Sequence, residues 1–287
     1  MDFSLTDDQQ EIRDLAVRIF GDLSTHERLK EVEATEERFD RKLWGELAAA
    51  GLLGLGIPES CGGAGLGFVE ACVVAEEAGR SAAAVPLVAT TILGAAPIVR
   101  FGSPEQQQRW LPKVATGESV LSAGLVEPGA DPWSLPTTTA DRVGSGWRLR
   151  GTKVNVPAGF LADAVVVPAR TEGSVSLFVV DLSAPGISVQ RQETTSRFDE
   201  AEIELQDFEL SPDLLLVSGE AGTDAHTWLL ERAAAAECVV QAGICEAALK
   251  LTASYTSERV QFDKPIATFQ AVGQRAADAF IDTEAVR

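Results

Sequence analysis

Arg259 ends a helical pattern three residues before Phe262. Asp263, Lys264 and Pro265 form a turn after it, and Phe269 and Gln270 open the next helix. Pro265 cannot occupy a helix interior, so the segment separates two helices. A guanidinium at this point is a planar fork of donors suited to phosphate oxygens. Read without chemistry, the same residues are a helical corner with a surface arginine. Other residue types with catalytic or ligating potential are dispersed. His26 and His226 are too far apart for a triad or metal site, and read as surface or capping residues. Cys61, Cys72, Cys238 and Cys245 show no paired metal spacing, and read as buried, reduced thiols of a cytosolic protein. The glycine-rich stretch 62–67 is a loop, but no strand precedes it and no Lys-Ser/Thr pair follows, so it is not a phosphate loop.

The chain has 287 residues, 45% of them hydrophobic, enough for two or three cores. Its formal net charge of −19 comes from 43 acidic and 24 basic residues. That balance excludes nucleic acid and anionic membrane surfaces as natural partners, because the long-range force has the wrong sign. An anionic ligand would need a local arginine or helix N-termini. No apolar run has transmembrane length, and Asp2, Asp7 and Asp8 stand where a secretory leader needs basic residues, so the expected location is cytoplasmic. The helical pattern is still running at Arg287, which reads as a truncated chain.

Three segments must position these residues. Residues 1–118 read as all-helical. Thr6 is the N-cap of a first helix, with Gln9 at the capping-box position and Ile12, Leu15, Ala16, Ile19 and Phe20 at helical spacing. Further helices are expected from Phe39 to Ala50, from Phe68 to Gly79, from Pro86 to Phe101, and after Ser103 to a stop at Leu111-Pro112. Residues 119–222 turn to Val, Thr, Gly and Pro, with short apolar or alternating runs at 147–154, 164–169, 176–180 and 203–210. These predict a compact antiparallel β domain. Residues 223–287 return to helical patterning, broken at Pro265, and Ala233 to Ala236 offer a small-residue face for close helix contact.

This order resembles the acyl-CoA dehydrogenase family over essentially the whole chain. Leu53-Gly54-Leu55-Gly56-Ile57-Pro58-Glu59 with Gly62-Gly63, and Phe101 to Gln107 followed by Trp110-Leu111-Pro112, are similar to its N-terminal motifs. The implied fold is α+β: an N-terminal helical domain, a middle β barrel and a C-terminal helical bundle. The implied chemistry is FAD-dependent α,β-dehydrogenation of an acyl-CoA thioester, with an electron-transfer flavoprotein-like acceptor and a homo- or heterotetramer. The segment Arg259, Phe262, Gln270 is similar to one that reaches the FAD of a neighbouring subunit, with Asp263 where the family usually has glycine. Leu125-Val126-Glu127-Pro128 resembles a Thr-Glu-Pro element that touches the flavin, with Val126 in place of threonine. Lys153-Val154-Asn155-Val156 resembles a strand whose tryptophan and hydroxyl face the flavin, and Val154 and Val156 stand in both places. A valine there offers only backbone groups. Glu231 matches the base of a minority of members, and Arg232 a residue that approaches substrate. As a bland alternative, Glu231 is a solvated acid in an early helical turn. Two roles follow: an acyl-CoA dehydrogenase in its own right, or a non-catalytic partner that completes the FAD site of a second acyl-CoA dehydrogenase subunit, with steroid side chains as substrate by analogy. A family relative with a different reaction is a third, more distant option.

Overall fold

A computed structural model describes residues 4–286; Asp2, Phe3 and Arg287 of the sequence argument lie outside them. Helix α1 (Asp7–Leu23) starts at Thr6 with the expected reciprocal capping box to Gln9. A helix that patterning did not separate, α2 (His26–Glu33), follows at once and is capped by Thr25. Helix α3 (Arg41–Ala49) begins two residues later than expected, because the Asp40 carboxylate accepts from the Lys42 and Leu43 N–H groups and fixes the start there. After the glycine loop come α4 (Phe68–Arg80), a π-helical segment (Ala89–Ala95) running into α5 (Ala96–Phe101), and α6 (Pro104–Ala115). Pro112 does not stop α6. It lacks an N–H, but its carbonyl accepts from the Thr116 N–H (3.2 Å), so the last turn closes around it.

The middle segment is one sheet: β1 (Leu121–Ala123), β2 (Thr139–Val143), β3 (Gly146–Pro157), β4 (Ala164–Thr171), β5 (Ser174–Asp181), β6 (Ile187–Gln192), β7 (Glu200–Leu210) and β8 (Leu215–Val217). Its order is β6-β7-β3-β2-β4-β5-β8, with β1 added on β4. It is mixed rather than purely antiparallel: β1 and β2 both run parallel to β4. The alternation of β4 and β5 explains why it rolls into a barrel-like shape. Val165, Val167, Phe178 and Val180 share one apolar cluster with Leu149, Ile203 and Leu205 of β3 and β7. The alternate residues Ala164, Val166, Leu177 and Val179 pack instead with Ile92, Ile98, Leu111 and Leu229 of the helices. Buried on both faces, these two strands are apolar throughout. Hydrogen bonding ends at β6 and β8, so the roll is not closed by strand pairing.

Helix α7 (Gly219–Glu258) is 40 residues long and contains no proline. A two-residue hairpin, β9 (Val260–Gln261) and β10 (Lys264–Pro265), then leads to α8 (Gln270–Val286). Helices α4 and α7 cross where each presents a glycine: a Cβ on Gly79 would overlap the Val240 carbonyl, and one on Gly243 the Glu76 carbonyl. The cysteines differ from expectation, since only Cys61 is buried and Cys238 is exposed on α7. No helix is long and apolar enough to cross a membrane, and no cluster of metal-ligating residues occurs among the described residues.

Candidate cofactor and substrate site

Beyond β1 the chain passes through Gly124 into Leu125 and Val126. The Val154 N–H of β3 donates to the Val126 carbonyl (3.0 Å), forming an isolated antiparallel bridge. The two valines matched to flavin-facing positions are therefore side by side, both half-buried. Val156 is not with them. Its side chain is fully buried in the rolled sheet, packed with the interior cluster. That bond uses the Val126 carbonyl and the Val154 N–H, and neither valine has a side-chain polar group to offer a flavin edge.

Under the bridge lies an ion pair that residue typing did not single out. The Lys153 Nζ donates to Glu127 Oε1 (2.7 Å) and to the Pro168 carbonyl (2.8 Å), with both side chains almost fully buried. Glu127 also accepts from the Thr137 N–H (2.5 Å), the Thr137 hydroxyl (2.6 Å) and the Thr138 N–H (3.0 Å). Burial works against the Glu127 carboxylate, yet the Lys153 charge and these donors hold it down at about 2. Burial draws the Lys153 ammonium down to about 8, with Glu127 opposing. The pair is ionised at neutral pH. Gly124 is required here, since a Cβ would press on the Lys153 stem. His226 of α7 lines the same small cavity as Leu125, Glu127, Asp131 and Lys153. It is buried, not a surface or capping residue. Burial first, then the Lys153 charge, lowers its pKa to about 4, so its ring is neutral.

Further along α7, Glu231 is 61% exposed and lies 3.5 Å from Arg232. This chain does not enclose its carboxylate. Arg232 is half-buried: it donates to the Trp228 carbonyl (3.2 Å) and lies over the Trp228 ring at 4.1 Å. With Trp228 it borders an apolar cavity of about 270 Å³ between α4, the π segment, α5 and α7. Trp228 was invisible to residue typing because its role depends on what α5 brings opposite it.

Arg259, Phe262 and Gln270 lie at the other end of α7. Arg259 caps the helix, and its guanidinium makes no described ion pair. Phe262 and Asp263 occupy the hairpin turn with φ of +53° and +61°, the geometry in which glycine or Asn is normally found. Holding an aromatic residue there is strained, and the Phe262 ring is 86% exposed. Gln270 is exposed at the first position of α8. His226 and Arg259 are 33 residues apart on one unbroken helix. At 1.5 Å per residue that is about 50 Å. The valine bridge and the arginine segment of one chain are therefore two separate places.

The family profiles agree with this architecture. Residues 6–118 match the acyl-CoA dehydrogenase N-terminal domain, 124–208 its middle domain and 220–287 its C-terminal domain. The chain belongs to the FAD-dependent acyl-CoA dehydrogenase family. It is 37% identical to acyl-CoA dehydrogenase FadE27 of Mycobacterium tuberculosis (strain ATCC 25618 / H37Rv), over 100% of this chain and 75% of that protein. Among solved structures it resembles the ChsE4-ChsE5 complex from Mycobacterium tuberculosis, with a TM-score of 0.93 at 36% identity over 99% of this chain and 76% of that one. It also resembles the Tcur3481-Tcur3483 steroid ACAD G363A variant, with a TM-score of 0.89 at 43% identity over 97% and 74%.

Proposed function

We propose that this chain is one subunit of a heteromeric acyl-CoA dehydrogenase, where its Arg259–Gln270 segment completes an FAD site held mainly by a second acyl-CoA dehydrogenase subunit. The observation that carries the reading is the separation of about 50 Å along α7. A flavin lying against the Val126–Val154 bridge of one chain cannot be reached by Arg259 of the same chain. The residues fit FAD unevenly. Arg259 offers an unpaired guanidinium fork for a phosphate, Phe262 an exposed ring for stacking, and Gln270 an amide. The bridge offers two valines without side-chain donors, and the Val154 N–H and Val126 carbonyl already bond each other. The better-equipped half of the site is thus the half this chain lends away.

Bound FAD would accept the hydride of an acyl-CoA dehydrogenation. This chain's part is to hold the cofactor's phosphate and exclude water with Phe262. Glu231 is the only matched base, and it becomes useful only if a neighbouring subunit encloses its exposed carboxylate. One similar structure is named as a complex and another as a steroid ACAD, which supports a heteromer and steroid thioesters as substrates; an electron-transfer flavoprotein-like acceptor follows from the family resemblance alone. The test is FAD titration of the assembled oligomer carrying Arg259→Ala. Losing a charge-assisted contact of roughly 1.5–3 kcal/mol should weaken FAD about tenfold or more at unchanged oligomeric state. Equal affinities would reduce Arg259 to a surface residue.

A further inference from the structure

The cavity beside Arg232 has a composition the flavin reading does not use. Its walls are Leu53, Leu55, Ile57, Phe68, Ala95 and Val99. Its volume of about 270 Å³ gives room for on the order of nine heavy atoms, at roughly 30 Å³ each. Besides Thr91, whose hydroxyl donates to the Leu87 carbonyl (2.8 Å), three polar groups stand among these walls. The Arg100 guanidinium lies 5.3 Å from the Trp228 ring centroid and that of Arg232 lies 4.1 Å from it. The indole N–H of Trp228 is buried without a hydrogen-bond partner. Arg100 lies over the rings of Phe101 and Trp228 and has no carboxylate partner among the described residues. In a chain of net charge −19, two guanidiniums gathered on one indole beside an apolar chamber are unusual company. The inner wall includes the π-helical segment, a distortion frequent at functional sites.

We propose that this chamber binds a free medium-chain carboxylate, with the alkyl tail among the leucines and the head group between Arg100 and Arg232. The chemistry separates the acid from its thioester. A thioester carbonyl is neutral, and the nearest charges of a CoA ester lie far down the pantetheine arm, so it would leave Arg100 without an anion and Arg232 with only the exposed Glu231 carboxylate at 3.5 Å. A carboxylate satisfies them at the point where the apolar wall ends. The site is built from the 52–57 loop, α4, the π segment, α5 and α7 of this chain, not from any flavin contact.

The experiment is titration of the intact protein with octanoate, followed by calorimetry and tryptophan fluorescence, with octanol, acetate and octanoyl-CoA as comparison ligands. Octanoate should bind saturably and change the fluorescence. Octanol and acetate should each bind at least tenfold more weakly, lacking the charge or the tail. Arg100→Gln should weaken octanoate about tenfold without altering FAD content, since Arg100 belongs to no proposed flavin contact. Trp228→Phe should remove the fluorescence change while calorimetry still detects the acid. The assignment is overturned if octanoate does not saturate, if octanol binds as well, if Arg100→Gln has no effect, or if octanoyl-CoA displaces octanoate with higher affinity. That last outcome would make the chamber a thioester pocket. None of these results bears on Arg259, so this assignment and the subunit reading fail separately.

Discussion

Lys153 keeps a charge in a place where an unpaired charge would be costly, and three donors besides it converge on Glu127 to make that tolerable. His226 sits against the same pair and must stay neutral, because a proton there would face the ammonium across a small cavity. The sign of the pH dependence follows. His226 has a folded pKa of about 4 against an ordinary 6.5, so the unfolded chain binds the extra proton between those values. Stability contributed by the neutral ring is present above pH 6.5 and is lost as pH falls toward 4. Glu127, held at about 2, adds a loss only below the ordinary carboxylate range. His226→Gln should therefore flatten the decline in unfolding free energy between pH 7 and pH 4.5, an effect on the order of 2–3 kcal/mol in the parent. Denaturant melts at the two pH values measure it. A parent and variant with parallel pH profiles would show that the ring does not feel the ion pair.

At the scale of elements, α7 is held against α4 by the absence of side chains. Gly79 and Gly243 let the backbones approach, and Arg80 reaches across this crossing to Glu246 while also holding Glu76 and Glu77. Gly243→Ala gains up to about 1 kcal/mol of helix propensity but forces a methyl into the Glu76 carbonyl, an overpacking cost of about 1–3 kcal/mol. The expected net is destabilisation. Gly21→Ala in α1 meets nothing within 4 Å and should stabilise by up to about 1 kcal/mol. Thermal melts of both variants check the pair, and a stabilising Gly243→Ala would mean the helices separate at no cost. Such crossings are not legible in the sequence, where Gly243 is one more small residue in an alanine-rich helix and Ala233 to Ala236 form the more evident small-residue face. What could be read was what local chemistry dictates: the Thr6 capping box, the loop at 62–67, the strands of alternating or fully apolar residues and the break at Pro265. What was missed depends on long-range pairing. The parallel β1–β4 match, the passage of α6 through Pro112, and the ion pair joining Glu127 to Lys153 each need a partner that sequence spacing does not announce. His226 was misplaced for the same reason, since no neighbour in the chain marks it as buried.

For the whole molecule, the far half of α7 and most of α8 leave apolar side chains exposed, and this exposure is continuous with the hairpin that carries Arg259. Leu251 and Ile281 are each 63% exposed, and Tyr255 and Phe280 are also open. If the arginine segment serves a flavin in another chain, that chain must sit against this end, and the apolar strip is what it would cover. The occupant expected is a second subunit of the same fold. Electrostatics then sets the conditions. Copies of a chain with net charge −19 repel, and the repulsion reaches about 30 Å at 0.01 M salt but only about 8 Å at 0.15 M. Apolar contact is not weakened by the same change. Self-association should therefore increase with ionic strength, seen by sedimentation velocity as a shift from smaller to larger species. The double variant Leu251→Glu with Ile281→Glu should stay small at both salt levels and keep its helix content, since both side chains are mostly exposed and their replacement removes little internal packing. A parent chain that is monomeric at tens of micromolar under both conditions, or a variant that assembles as the parent does, would take this strip out of any interface between copies of this chain and leave it only to an unlike subunit.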